Sequence, residues 1–581
     1  MTLRHVSRDE SDEEMAIVGP LAQWGQYVSE IYRHTDALEG GGSIITVVAE
    51  YQLADGRRAA IKTMSGDLSI HALREIVSLR LLNSPDVVPL WGAVADEQQW
   101  GVVTPLARGD LADMRSQLSE IQLRRISYQI VRGVAYLFAR DVWHRDIKPN
   151  NVLIFPSGDS WEYRAQISDF GVARLGACVA RDLKYTRLVE TILYRAPEIL
   201  LGGRYTPASE SWALGMLLLE TLVGIRIGHH ASADIMFFQY EKGMVEFLIS
   251  WFGPIPLGEM SVDVASRHER FGRAPRGLFE LRRPPFDKIP DDIYRLLSRL
   301  LNYIPRERAE PSAVLNDPVF GDVRETHLEP AALDCSALVR EFALPASTLV
   351  SPLNPQDRLL LHEWMIDVCE NYSLSTRTHH LSIQIFERHV RSGVPLTAGT
   401  LQAMAASALY LASSLHDVAP IRLNHLVYMT ADAYSASDLR RTTTQILTTL
   451  NADVYRTTSY DYVLAVSSRY PREVVTVAEL IVLWFSFSAI ANHASSAEVA
   501  ETALWVACRS QDETYLDASG VEARRSQARA IVDELSRQAL KSETTVNRFR
   551  RGGQSITYHL VRADLLDPTL HRETVSPLHL S

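Results

Sequence analysis

The chain has 581 residues, 46% of them hydrophobic and 22% charged. That is the composition of ordinary globular protein, and the length exceeds what one core can organise, so two to four domains are expected. A net charge of -11 argues against a body that binds nucleic acid directly. Cys178, Cys335, Cys369 and Cys508 show neither metal-ligand spacing nor a disulfide framework, which points to a reducing compartment, cytoplasm or nucleus. Arg8 to Glu14 is nearly all charge, unlike the apolar segment of a secretory leader, and the longest apolar run, Leu480 to Ala491, is about half a membrane span and reads as a buried helix. No membrane contact is expected.

In chain order, residues 1–22 read as a disordered tail. Residues 23–106 alternate β-type runs with turns: Val47 and Val48 precede the turn signal Ala54-Asp55-Gly56, and the strand Ala59-Ala60-Ile61-Lys62 follows. A helix is predicted from Ser69 to Leu82, with Leu73, Ile76, Val77 and Leu79 apolar. Helical periodicity dominates residues 107–322. Residues 323–352 lack periodicity and, with Pro330, Pro345 and Pro352, read as a linker. Everything beyond is helical, without a strand pattern, in two halves of similar size, 353–456 and 457–581. In the first half five helices are expected; Leu401 to Leu411, rich in alanine, should lie at the centre of the bundle. The second half is expected to repeat that plan.

The most specific signal is His144-Arg145-Asp146-Ile147-Lys148-Pro149-Asn150-Asn151, followed by Asp169-Phe170-Gly171. Phosphoryl transfer needs positioned phosphates, a metal to spread charge and a base to orient the incoming hydroxyl. Upstream, Glu39-Gly40-Gly41-Gly42-Ser43 lies between predicted strands; Gly40 and Gly42 would let backbone amides approach phosphate oxygens. These segments stand in the order of the protein-kinase signature, and the chain resembles that family. The resemblance implies Lys62 on the α- and β-phosphates, paired with Glu75 when the intervening helix rotates inward. It implies Asp146 as base, Lys148 as neutraliser of the transferred group, and Asn151 and Asp169 as magnesium ligands. Val47, Ala60 and Leu153 would sandwich adenine, and Leu106 would offer backbone hydrogen bonds to it. Glu198 of Ala196-Pro197-Glu198 should meet Arg308, and Glu210 stands where the family has aspartate.

Over residues 36–320 the chain more closely resembles cyclin-dependent kinases. Ser69-Ile70-His71-Ala72-Leu73-Arg74-Glu75-Ile76 is similar to the helix that cyclins grip, and Tyr185 to Gly202 to the activation segment. The resemblance makes Thr186 the activating phosphosite, with Arg74, Arg145 and Arg174 converging on its phosphate, since guanidinium groups bind such oxygens bidentately. Thr191 resembles the threonine that links base and lysine. Ile44 replaces the inhibitory tyrosine. The first helical half resembles a cyclin box through Arg358, Glu363, Trp364, Glu370-Asn371-Tyr372, Leu411-Ala412-Ser413 and Ile446-Leu447, with an Arg358–Glu363 ion pair expected. Ile70 and Leu73 would meet Ser414 and Thr443, which replace the family's lysine and glutamate.

The expectation is therefore an α+β chain: a bilobal protein kinase fold followed by an all-α cyclin-like domain of two five-helix repeats. The resemblance implies a Ser/Thr kinase using ATP and Mg2+, activated by an intramolecular kinase–cyclin contact. Its partners would be protein substrates and cell-cycle or transcription proteins, and its source a large DNA virus acting inside a host cell. The alternative is a pseudokinase whose cyclin-like half recruits a host kinase.

Overall fold

The computed structural model describes residues 43–53, 56–65, 70–95, 99–158, 162–176, 192–225, 241–253, 255, 288–324, 352–488, 491–510 and 521–536, with short strands at 17–18, 26–27, 32–37, 550–551 and 554–555. The chain divides into two compact units, residues 1–333 and 334–581.

The first unit begins with a sheet. β1 (Ile17–Val18), β2 (Gln26–Tyr27), β3 (Tyr32–Ala37), β4 (Ser43–Gln52), β5 (Arg58–Ser65), β6 (Gly92–Ala95) and β7 (Gln99–Pro105) associate in the order β1-β6-β7-β5-β4-β2, with β3 also on β4. The pairing of Ile17 with Ala93 and Val18 with Val94 corrects the expected tail over 1–22: two β-branched residues extend the sheet edge. Gly56, at φ 86°, supplies the left-handed turn between β4 and β5, and its amide donates to the Leu53 carbonyl. Leu53, Ala59, Ile61, Val94 and Val103 form the core beneath. α1 (Ile70–Leu81) packs against β7 and is buried continuously from Ala72 to Leu79.

The helical lobe follows. α2 (Glu120–Ala139) opens on a Ser119–Gln122 capping box, satisfying amides that a helix start leaves unpaired. β8 (Gly109–Asp110), β10 (Val152–Pro156) and β11 (Tyr163–Ile167) form a small sheet, and β9 (Val142–Trp143) pairs with β12 (Arg174–Leu175), so the loops bearing the chemistry are anchored at both ends. α3 (Pro207–Leu218) is buried throughout from Ser209 to Leu218. A Cβ at Gly215 would lie 2.8 Å from Leu301, which explains the glycine there. α4 (Glu241–Phe252) and α5 (Asp291–Leu300) complete the lobe.

The second unit holds α6 (Pro355–Asn371), α7 (Thr376–Arg391), α8 (Ala398–His416), α9 (Leu423–Met429) and α10 (Ala436–Thr449), then α11 (Ser459–Val466), α12 (Arg472–Phe485), α13 (Ser496–Ser510) and α14 (Val521–Ser536). α8 is the expected centre: Ala405, Ala406, Ala408 and Ala412 are fully buried, and α7 and α10 both pack on it. After residue 456 the described residues hold four α-helices, plus a pairing of β13 (Arg550–Arg551) with β14 (Gln554–Ser555). That strand pair corrects the all-helical expectation; Gly552-Gly553 between them is a two-residue hairpin signal. The apolar run from Leu480 contributes only the end of α12, which stops at Phe485. Arg358 pairs with Glu387 of α7 at 2.8 Å, not with Glu363 as expected, because its buried side chain faces the neighbouring helix. Among the described residues no helix is long and apolar enough to cross a membrane.

Candidate active site

Three elements bring the expected catalytic residues together. β5 carries Lys62, α1 carries Glu75, and the loop after β11 carries Asp169. The Lys62 Nζ lies 3.0 Å from Glu75 Oε2 and 2.6 Å from Asp169 Oδ1. Burial works against the Lys62 charge, but the two carboxylates outweigh it and hold the ammonium above its ordinary range. Asp169 is held well below the carboxylate range: burial opposes ionisation, and Lys62 overcomes it. Burial pushes Glu75 up to about 6, partly offset by Lys62. α1 is therefore seated in the orientation that closes the ion pair.

The catalytic loop is a second cluster. Lys148 Nζ lies 2.7 Å from Asp146 Oδ2. Asn151 Nδ2 donates to the Asp146 carbonyl at 2.8 Å and to its Oδ2 at 2.9 Å. His144 Nε2 lies 2.8 Å from the Ser168 carbonyl oxygen, and its ring meets the buried Phe170 edge-on at 4.7 Å. The two loops are thus tied together behind the reacting groups. Arg145 and Asp169 have φ of 67° and 66°, a left-handed region that costs a non-glycine residue on the order of 1 kcal/mol or more. Such strain persists only where the surroundings over-determine it.

Glu210, on α3, does cap this loop despite being longer than aspartate. Its Oε1 accepts from the Arg145 amide at 2.7 Å and from the Tyr205 hydroxyl at 2.6 Å. Tyr205 also lies under the Arg145 guanidinium, 5.2 Å from ring centroid to carbon. Sequence reasoning missed Tyr205, which stands in no motif. Arg308 and Glu198 form a bidentate pair at 2.7 and 2.6 Å, with side-chain exposures of 0% and 7%.

The nucleotide residues are placed in part. Ala60 lies opposite Thr104 and Val47 opposite Thr63 in the sheet register, and Leu153 lies opposite Asp110. The Leu106 amide donates to the Arg58 carbonyl at 3.3 Å, so an adenine would compete with that bond. Gly40, Gly42, Thr186 and Thr191 lie outside the described residues. Arg74, Arg145 and Arg174 are 7%, 0% and 3% exposed, which excludes their being solvated surface groups. Leu73, Ser414 and Thr443 are buried and Ile70 partly so; the Thr443 hydroxyl donates to Leu439 of its own helix at 2.7 Å.

Asp169 and Asn151 fit magnesium. The Asn151 amide group is spent on Asp146, which leaves its oxygen as the acceptor, and the Asp169 carboxyl is held ionised. Both offer the hard oxygen that this ion prefers, and it ordinarily completes its shell with water and phosphate. When bound, the metal would neutralise charge on the phosphates of ATP, while Lys62 held and oriented them.

Comparison with known proteins places these observations. The protein kinase domain family matches residues 33–320. The N-terminal domain family of cyclins matches residues 342–455. The chain is 30% identical over 301 residues to cell division control protein 2 homolog 2 of Trypanosoma brucei brucei, covering 50% of this chain and 83% of that protein. It is 28% identical over 321 residues to mitogen-activated protein kinase 17 of Oryza sativa subsp. japonica, covering 52% and 53%. It is 30% identical over 324 residues to mitogen-activated protein kinase 8 of Arabidopsis thaliana, covering 52% and 52%. The chain spans about half the length of the two mitogen-activated relatives. It belongs to the protein kinase family, and its kinase domain is followed by a cyclin N-terminal domain.

Proposed function

We propose that the protein is a Ser/Thr kinase of the cyclin-dependent type that transfers the γ-phosphate of ATP to protein hydroxyls. The observation that carries this reading is the closed set of Lys62, Glu75 and Asp169 beside Asp146, Lys148 and Asn151. Asp146 accepts the substrate hydroxyl proton, Lys148 balances charge on the moving phosphoryl group, and Asp169 and Asn151 hold magnesium. The closed ion pair weighs against the pseudokinase reading. Purified chain should phosphorylate a generic basic protein with Mg-ATP, and Asp146→Asn should lose at least about a hundredfold in rate. Equal activity of the two would end the enzyme hypothesis.

We further propose that the helical unit is the chain's own activator. Tethering raises effective concentration to roughly millimolar, so an interface lacking the family's lysine and glutamate at Ser414 and Thr443 is still occupied. Removal of residues 353–581 should lower activity at least about tenfold, the scale of a coupling of about 1.4 kcal/mol; no loss would leave the kinase unit self-sufficient. Phosphate on Thr186 would be met by Arg74, Arg145 and Arg174, whose burial supports a role other than surface charge. The protein substrates and cell-cycle or transcription partners belong to this same reading.

A further inference from the structure

The helical unit holds a partly open cavity of about 50 Å3 between α7 and the chain after residue 456. A water molecule needs roughly 10–15 Å3 of such space, so there is room for about four oxygen-sized groups. Gln384, Arg388 and Arg391 line it from α7, Ser459 from α11, Asn492 from the 3-10 turn Ala491–His493, and Ser496 from the start of α13.

The charge around this space is unbalanced. Glu387, which also lines it, takes Arg358 Nε at 2.8 Å and Arg391 Nη2 at 3.3 Å. Asp453 takes Arg388 Nη2 at 2.9 Å and Arg456 Nη2 at 2.7 Å. Among the described residues four guanidinium groups thus share two carboxylates. Arg358, Arg391 and Arg388 are only 2%, 5% and 15% exposed, so water screens them little. Burial holds Arg391 and Arg388 below the usual guanidinium range, and their carboxylate partners do not make up the difference. His362, 3.6 Å from Glu387, and His380, which also lines the cavity, are both kept neutral by burial and add no charge. Three polar atoms on the walls, Arg391 Nε, Gln384 Oε1 and His380 Nε2, are buried without a hydrogen-bond partner. The Gln384 amide can turn its NH2 inward instead, with the Ser496 hydroxyl, now 3.3 Å away, donating to its oxygen.

We propose that this cavity binds a tetrahedral dianion, inorganic phosphate or the phosphoryl group of a phosphomonoester, through Arg391, Arg388 and Gln384. Arg388 and Arg391 line the space with Glu387, and Arg358 and Arg456 add positive charge beyond its lining; that excess favours a phosphate near -2 over a carboxylate, which would supply one charge and a planar shape. The site joins the cyclin domain to the helices after it, and so gives residues 457–510 a ligand-binding role.

The test is calorimetric titration of the full chain with sodium phosphate against sodium chloride at constant ionic strength, in EDTA and without nucleotide. One saturable sub-millimolar site is expected. Arg391→Met should weaken it at least about tenfold, the scale of one charge-assisted hydrogen bond. Gln384→Leu, which leaves every ion pair intact, should weaken it about threefold or more by the loss of one neutral hydrogen bond, and decides alone should Arg391→Met fail to fold by circular dichroism. A phosphoserine peptide and its unphosphorylated twin distinguish the sources: competition by the phosphopeptide makes the ligand a protein-borne phosphoryl group, and its failure beside phosphate binding makes it the free ion. No saturable phosphate binding overturns the proposal. So does binding that survives both α7 variants, or that is lost instead in Arg174→Met.

Discussion

The chain holds two knots of charge with opposite imbalance. In the catalytic cleft two ammonium groups, Lys62 and Lys148, face three carboxylates, Glu75, Asp146 and Asp169. In the helical unit four guanidinium groups share Glu387 and Asp453. Asp169 is 40% exposed, while Arg358 and Glu387 are each 2% exposed. Under the proposed function, the cleft's negative excess suits a polyphosphate that arrives together with a cation. The positive excess of the helical cavity means that it takes an anion alone.

Metal removal breaks the comparison most sharply. EDTA should lower phosphoryl transfer by about a thousandfold or more, since magnesium contributes several kcal/mol of transition-state stabilisation. Phosphate uptake by the helical cavity should be unchanged under the same conditions. The check is a kinase assay run beside the titration. Loss of both with EDTA would mean that the two knots are not independent.

Removing one cation sharpens the contrast in stability. Arg358→Met leaves a buried Glu387 with Arg391 and a neutral histidine. That should cost about 1.5–3 kcal/mol, the loss of one hydrogen bond to a buried charge that keeps a second partner. Asp169→Asn acts on a more exposed group and should cost about 1 kcal/mol or less. Urea denaturation followed by tryptophan fluorescence measures both. Equal costs would show that enclosure is not what separates the knots.

Legibility divides along the same line. Asp146, Lys148, Asn151 and Asp169 were readable because their spacing is local and their order is a signature. The expected Lys62–Glu75 contact rested on two residues 13 positions apart on adjoining elements, and the structure brings them together. The partner of Arg358 was misjudged because Glu387 lies 29 positions away on another helix, and only the packing of α6 on α7 decides which faces meet. β1 was invisible for a related reason: two residues have no periodicity, and their pairing partner lies far along the chain. The helical cavity could not be read at all, since its walls come from α7 and from segments that follow three intervening helices.

A third buried carboxyl lies between the two cases. Burial raises Glu210 to about 7, and hydrogen bonds from Tyr205 and the backbone of Arg145 hold it from rising further. A carboxyl whose folded value lies above its unfolded value takes up a proton on folding in the interval between them. Its contribution to stability is therefore full below about 4.5 and is lost as the pH rises through about 7. The loss should be on the order of 3 kcal/mol across that window. Glu210→Gln keeps an oxygen for the Arg145 amide and removes the titration. Its stability relative to the parent chain should thus improve from pH 5 to pH 8, read as the difference in urea midpoint at each pH. A difference that stays constant would mean that Glu210 is ionised throughout and belongs with the stabilised carboxylates of the cleft.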